Sequence, residues 1–148
     1  MVVYIVTDLL AFSEVRRPIS WGEMDLFGHL NNVHYFRYLE DARIAFLTQF
    51  HFFDAKLYCV ILKNECEYKR PVMYPDTLIT RSYVMHVGTT SFTMLYEVVS
   101  EQQQQMVALG KSVIVIVTPE IFEKQAIPNH VKAQLLSYMK NFKYEGRI

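Results

Sequence analysis

Between Trp21 and Arg43 the chain reads Trp-Gly-Glu-Met-Asp-Leu-Phe-Gly-His-Leu-Asn-Asn-Val-His-Tyr-Phe-Arg-Tyr-Leu-Glu-Asp-Ala-Arg. One acid, Asp25, stands in a loop with Gly28 and His29. That loop runs into an apolar helical pattern whose first turn holds Asn31 and Asn32. The opening turn of a helix leaves backbone N–H groups without partners. A carboxylate beside them sets a base or nucleophile next to preoriented donors, which suits chemistry on a carbonyl group. His29 is near enough in sequence to orient Asp25 or to meet substrate. Glu40, two turns into the helix, is the alternative acid. Its spacing also suits an ion pair with Arg43, as that of Arg37 suits one with Asp41. Tyr35 either reaches the pocket or packs in the core.

The elements that position these groups follow from periodicity. Glu14–Trp21 is expected as a strand, edge or bent because of Pro18. Val33–Phe50 is expected as a helix, with Tyr35, Leu39, Ala42, Phe46 and Phe50 as its main apolar stripe and Asn31 or Asn32 as its cap. The chain then changes period. Val60, Leu62, Cys66 and Tyr68 alternate with Ile61, Lys63, Glu65, Glu67 and Lys69, the pattern of a half-buried strand in which Asn64 interrupts the apolar face. Pro71 and Pro75-Asp76 end it. Thr77–Val87, Ser91–Ser100 and Met106–Val117 read as three more strands, the last covered on both faces. Pro128–Phe142 reads as a closing amphipathic helix. Consecutive strands with short connections are antiparallel, and a long apolar helix must lie against their sheet. The fold class is therefore α+β, one antiparallel sheet around one long central helix plus a short C-terminal helix, as a single domain over residues 1–148.

Bulk properties narrow the chemistry. With 51% hydrophobic residues and 14% aromatics the chain is not disordered. Fifteen basic and fifteen acidic side chains cancel, so nonspecific nucleic-acid binding is not expected. No apolar run approaches a membrane span. Met1–Val6 is apolar but short, without a basic n-region, so no signal peptide is expected. Cys59 and Cys66 are seven apart on one strand and should point to opposite faces. No disulfide is expected between them, which fits a cytoplasmic protein. No dinucleotide fingerprint, nucleophile elbow or zinc spacing occurs. Gly110-Lys111-Ser112 mimics the end of a phosphate-binding loop, but its upstream glycine position is Gln105. No metal or cofactor is called for.

The pattern Trp21-Gly22-x-x-Asp25-x-x-Gly28-His29-x-Asn31-Asn32-x-x-Tyr35, followed by Glu40-x-Ala42-Arg43, resembles the 4-hydroxybenzoyl-CoA thioesterase branch of the hotdog-fold acyl-CoA thioesterases. Tyr68-Lys69-Arg70-Pro71-Val72-x-Tyr74-x-Asp76 and Gly88-x-x-Ser91-Phe92 are similar to later stretches of that family. The resemblance spans roughly residues 14 to 142. It implies a hotdog fold and a homodimer or homotetramer with active sites at a subunit interface. It also implies hydrolysis of an acyl thioester, an acyl-CoA first and an acyl carrier protein as the other donor; the many Phe, Tyr and Met residues suit an apolar pocket and lean the acyl group towards fatty chains. The family's acid falls on Asp25 and its oxyanion donor on the backbone N–H of Asn32. Asp25 then either attacks the carbonyl or activates a water. Gly28, Asn31 and Tyr35 fall around substrate, and Lys69 and Arg70 are candidates for the phosphates of coenzyme A. Two rival readings share the pocket: a noncatalytic acyl-thioester binder, and a dehydratase using His29 with Asp25.

Overall fold

Helix α1 spans Tyr35–Thr48 and is preceded by a single tight turn of 3-10 helix over Asn32–His34. Its buried residues are Tyr35, Tyr38, Leu39, Ala42, Phe46 and Leu47: the expected stripe holds from Tyr35 to Phe46 and gains Tyr38 and Leu47, while Phe50 lies past the helix end and is half-buried. The computed structural model of the chain describes the backbone at residues 2–6, 12–139 and 142–147, and side chains at 12–54 and 56–139. Strands β1 (Val2–Val6), β2 (Ser13–Pro18), β3 (Tyr58–Tyr68), β4 (Thr77–Val87), β5 (Ser91–Ser100), β6 (Gln105–Val117) and β7 (Phe142–Arg147), with helix α2 (Asn129–Ser137), complete the order. Five strands form one antiparallel sheet in the order β2-β4-β5-β6-β3, while β1 pairs with β7 apart from it. No helix among the described residues is long and apolar enough to cross a membrane.

The face that α1 covers can be read from register. Phe92, Met94, Tyr96 and Val98 of β5 stand opposite Ile114, Ser112, Gly110 and Ala108 of β6, and all of these lie in the interior. Alternation places them on one side. At the centre of that side β6 carries Gly110: a Cβ built there would sit 2.5 Å from a terminal carbon of Leu39. The glycine is therefore what lets α1 lie down on the sheet.

Two expectations need correction. A bulge in β3 between Ile61 and Lys63 resets the alternation. Cys59 pairs with Ile116 and Cys66 with Gly110, six apart on β6, so both cysteines face α1 rather than opposite sides. They remain free thiols, because six residues of strand separate them by about 20 Å, beyond the reach of a disulfide. The bulge also sets Ile61, rather than Val60, opposite the inward Ile114, although both stay more than one third exposed at this edge, and leaves Leu62 exposed at 70%. The closing helix is shorter than expected. It ends at Ser137, Lys140 and Asn141 lie outside the described residues, and Phe142 opens β7.

Replacement Gly110→Ala is expected to cost about 1–3 kcal/mol by overpacking against Leu39. Because the clash has one partner, Leu39→Ala in the same chain should remove it, so the double variant loses less than the sum of the singles. Urea unfolding of the three variants measures this.

Candidate active site

The loop that carries Asp25 is built by the acid itself. Asp25 Oδ1 accepts from the backbone N–H of Phe27 at 2.8 Å and of His29 at 3.2 Å. The Asp25 N–H donates to the His29 carbonyl at 2.7 Å, and the Gly28 N–H to the Asp25 carbonyl at 3.0 Å. Gly28 closes the turn with φ of 77°, a conformation glycine adopts without strain. One carboxylate oxygen is thus spent on the loop, and Oδ2 has no protein partner among the described residues. The imidazole of His29 is half-buried and makes no bond to Asp25; orientation comes through its backbone instead.

The next amides are disposed of in turn. Leu30 N–H donates to the Val72 carbonyl at 2.7 Å and Asn31 N–H to the Glu23 carbonyl at 2.9 Å. Val33 N–H donates to Asn31 Oδ1 at 3.2 Å, and His34 N–H to the Asn31 carbonyl at 3.0 Å. Asn31 is therefore the cap. Asn32 N–H alone in this run has no acceptor among the described residues. Its peptide plane is fixed from the other side, because the carbonyl of that plane is the one His34 holds.

A cleft of about 370 Å³ opens here, lined by Asp25, His29, Leu30, Asn32, Tyr35, Tyr68, Lys69, Arg70 and Pro71. It unites six of the residues singled out from sequence. Gly28 lines an adjoining cleft that Asp25 shares, and Asn31 lines neither. Tyr68, in sequence only the first residue of a family-like stretch, donates its hydroxyl to the Asn32 carbonyl at 2.9 Å and meets Tyr35 edge to face at 5.0 Å. Burial pushes the Tyr35 phenol up to about 12 and raises that of Tyr68. Both stay neutral at ordinary pH and act as donors or packing surface. Burial likewise pushes the Cys66 thiol up to about 11, which withdraws it as a thiolate nucleophile. Lys69 is paired with Glu67; Arg70 is exposed and has no ion-pair partner among the described residues. Glu40 pairs with Arg37 at 3.4 Å, not with Arg43, and Asp41 pairs with Arg17 at 2.5 Å, not with Arg37. Glu40 lines neither cleft.

Comparison with known proteins now has a geometry to stand on. The family model described as "Thioesterase-like superfamily" matches residues 19–135, most of the chain and all of both clefts. The chain belongs to the thioesterase-like superfamily. It is a thioester hydrolase of hotdog fold. A relative from Aquifex aeolicus (strain VF5) named "Putative esterase" is 34% identical over 91 residues, 58% of this chain and 71% of that protein. A solved structure from Pseudomonas aeruginosa titled a "putative Thioesterase" is 28% identical with a TM-score of 0.76, covering 83% of this chain and 97% of its own. A 1,4-dihydroxy-2-naphthoyl-CoA thioesterase from Synechocystis shares the fold, with a TM-score of 0.73 at 13% identity over 85% of this chain and 96% of its own.

Beneath the thioesterase loop lies a support that sequence reasoning did not single out. Glu23, 9% exposed, accepts from Ser20 N–H at 2.8 Å and from the Tyr38 hydroxyl of α1 at 2.7 Å. Arg17 lies 3.6 Å from its other oxygen and stacks 4.5 Å above the Tyr38 ring. The only advance signal was the Ser20-x-x-Glu23 spacing of a capping box. Burial by itself would push the Glu23 carboxyl up, but Ser20, Tyr38 and Arg17 outweigh it and hold the group below its ordinary value. Its contribution is therefore complete above about pH 4.5, where the unfolded carboxyl is ionised too, and is lost as pH falls through the folded value. Glu23→Gln should lower neutral-pH stability by about 1–3 kcal/mol. That deficit should shrink on acidification below about pH 4.5; urea unfolding across an acid series checks it.

Proposed function

We propose that this thioesterase hydrolyses acyl-CoA in the cleft at the start of α1, with Asn32 N–H as the oxyanion donor and Asp25 as the nucleophile or general base. The single observation that supports this reading is that Asn32 and Asp25 line one cleft, the amide of the first and Oδ2 of the second each without a protein partner among the described residues. Attack on a thioester carbonyl builds negative charge on its oxygen, and a rigid N–H at a helix start meets that charge without reorganising. In one route Asp25 takes a proton from water, the oxygen of which bonds to the acyl carbon; the collapsing intermediate expels the thiolate, which regains the proton. In the other, Asp25 Oδ2 bonds to the acyl carbon and expels the thiolate; water then opens the mixed anhydride, releasing the acid and restoring the Asp25 carboxylate, and the proton freed from water goes to the thiolate. Tyr68 and Tyr35 wall the acyl side. Arg70, with Lys69 beside it, greets the coenzyme phosphates at the rim. Gly28 and Asn31 keep the loop and cap in place, so their part in substrate binding is indirect. The domain acts in the cytoplasm, on CoA or on the same pantetheine arm carried by a protein.

The reading includes a homodimer. β3 is the sheet's edge strand, and Tyr58, Val60, Ile61, Leu62 and Tyr68 along it are each more than one third exposed. A long apolar edge of this kind calls for a covering strand, and a second copy of β3 supplies one; equilibrium sedimentation of the protein reads it.

Two substitutions test the chemistry together. Asp25→Asn keeps the shape of the pocket and should lower kcat by about 10²–10⁴ while the melting temperature holds. Asn32→Pro removes the donor itself. The site tolerates proline, since Asn32 opens the helical turn and Asn31 before it is extended, with ψ of 131°. Its kcat should fall by about 10²–10³ with KM little changed. Thiol release from acyl-CoA measures both.

A further inference from the structure

A second polar group sits on the covered side of the sheet, away from the cleft. Arg43, half-buried on α1, reaches down so that Nη1 lies 3.4 Å from Tyr96 Oη and 3.4 Å from Ser112 Oγ. The Ser112 hydroxyl in turn donates to Asn64 Oδ1 at 2.6 Å. Tyr96 and Ser112 are wholly buried. No carboxylate lies within ion-pair distance of Arg43 among the described residues. Its neighbours on the helix are already taken, Glu40 by Arg37 and Asp41 by Arg17. A guanidinium drawn toward an apolar interior without a counter-charge is costly, and two long bonds to neutral hydroxyls leave most of its five donors unused.

The position of this cation relative to the cleft gives it a use. Two independent rulers start from the Tyr35–Tyr68 pair that walls the cleft. Along α1, the eight residues from Tyr35 to Arg43 advance about 12 Å. Along β3, the four residues from Tyr68 to Asn64 advance about 13 Å on the same face. Between them Cys66 is half-buried and Asn64 is exposed, so α1 does not seal this part of the sheet. An acyl group whose carbonyl rests at Asn32 and whose body passes over the exposed side of Tyr68 and follows β3 runs toward Asn64 and Arg43.

We infer that Arg43, with Ser112 and Asn64, forms a subsite for the far end of the acyl group, and that the preferred substrates are acyl-CoAs ending in a carboxylate. The inference rests on the proposed function, since it needs the carbonyl at Asn32. The substrate's carboxylate supplies the counter-charge that the chain withholds, through charge-assisted bonds to the guanidinium. A plain fatty acyl chain, the expectation from sequence, would leave the cation unpaired against hydrocarbon.

The test compares a graded series of carboxylate-terminated acyl-CoAs with methyl-terminated partners of equal length, in the wild type and in Arg43→Met, Arg43→Lys and Asn64→Asp. The wild type should favour the carboxylate series by about 10- to 100-fold in kcat/KM. Arg43→Met should abolish that preference by raising KM for the carboxylate series, while the methyl-terminated series holds or gains. Arg43→Lys should restore part of it. Asn64→Asp, an exposed change that fills the subsite with its own anion, should abolish it without touching the arginine. Equal wild-type turnover of both series overturns the inference. So does an equal loss on both series in Arg43→Met, the result expected if a second subunit's carboxylate pairs with Arg43. In either case, continued dependence of hydrolysis on Asp25 would leave the proposed function standing. Hydrolysis by Asp25→Asn at the wild-type rate would remove that function instead.

Discussion

The site depends on how six successive amides are spent. From His29 to His34, five N–H groups are claimed by Asp25 Oδ1, the Val72 carbonyl, the Glu23 carbonyl, Asn31 Oδ1 and the Asn31 carbonyl. The first amides of a helix have no partner within it and are met by caps, by water or by ligands. Asn32 keeps such an amide at the mouth of a cleft, with its peptide plane locked from behind. That single vacancy turns an ordinary helix start into a receptor for developing negative charge. Asp25 is bound into the same arrangement: one oxygen organises the loop, and the other is left to react.

Everything deeper in the molecule serves to hold that vacancy still. The Glu23 side chain ties the loop to α1 through Tyr38, while its backbone carbonyl takes the Asn31 amide. The same residue therefore grips the loop from below and sets the cap from beside. Ser20, Tyr38 and Arg17 together keep this carboxylate ionised, and Arg17 also holds Asp41 of α1. α1 in turn owes its depth to the missing side chain at Gly110, into which Leu39 settles. Tyr68 links the sheet to the site by its bond to the Asn32 carbonyl. Tyr68 and Glu23 each bond directly to the Asn31–Asn32 pair, so small misplacements there reach the amide at once and slow a reaction.

Legibility in the sequence followed the range of the interactions concerned. The helix, the central strands and the Asp25–Asn32 juxtaposition were readable because each is set by neighbours within a few residues: apolar spacing, turn residues, a cap. The bulge in β3 was not, since its evidence is which residue of β6 stands opposite; the resulting error put Cys59 and Cys66 on different faces. Charge pairing failed in the same way. Glu40–Arg43 and Arg37–Asp41 have correct helical spacing, but Arg17 arrives from β2 and captures Asp41, and Arg43 turns inward to β5 and β6. Tyr68 and Glu23 were missed as parts of the site because their partners lie 36 and 15 residues away. Pairing of β1 with β7 joins the two ends of the chain, and no local pattern announces it.

The central claim is that one carbonyl meets both the Asn32 amide and the Asp25 carboxylate. A crystal structure with a ketone analogue of acyl-CoA, its sulfur replaced by a methylene, tests this directly. The account requires the ketone oxygen within about 3.1 Å of the Asn32 nitrogen, with Asp25 Oδ2 facing the ketone carbon directly or through one water. A ketone seated elsewhere, with the Asn32 N–H left to bulk solvent, contradicts it.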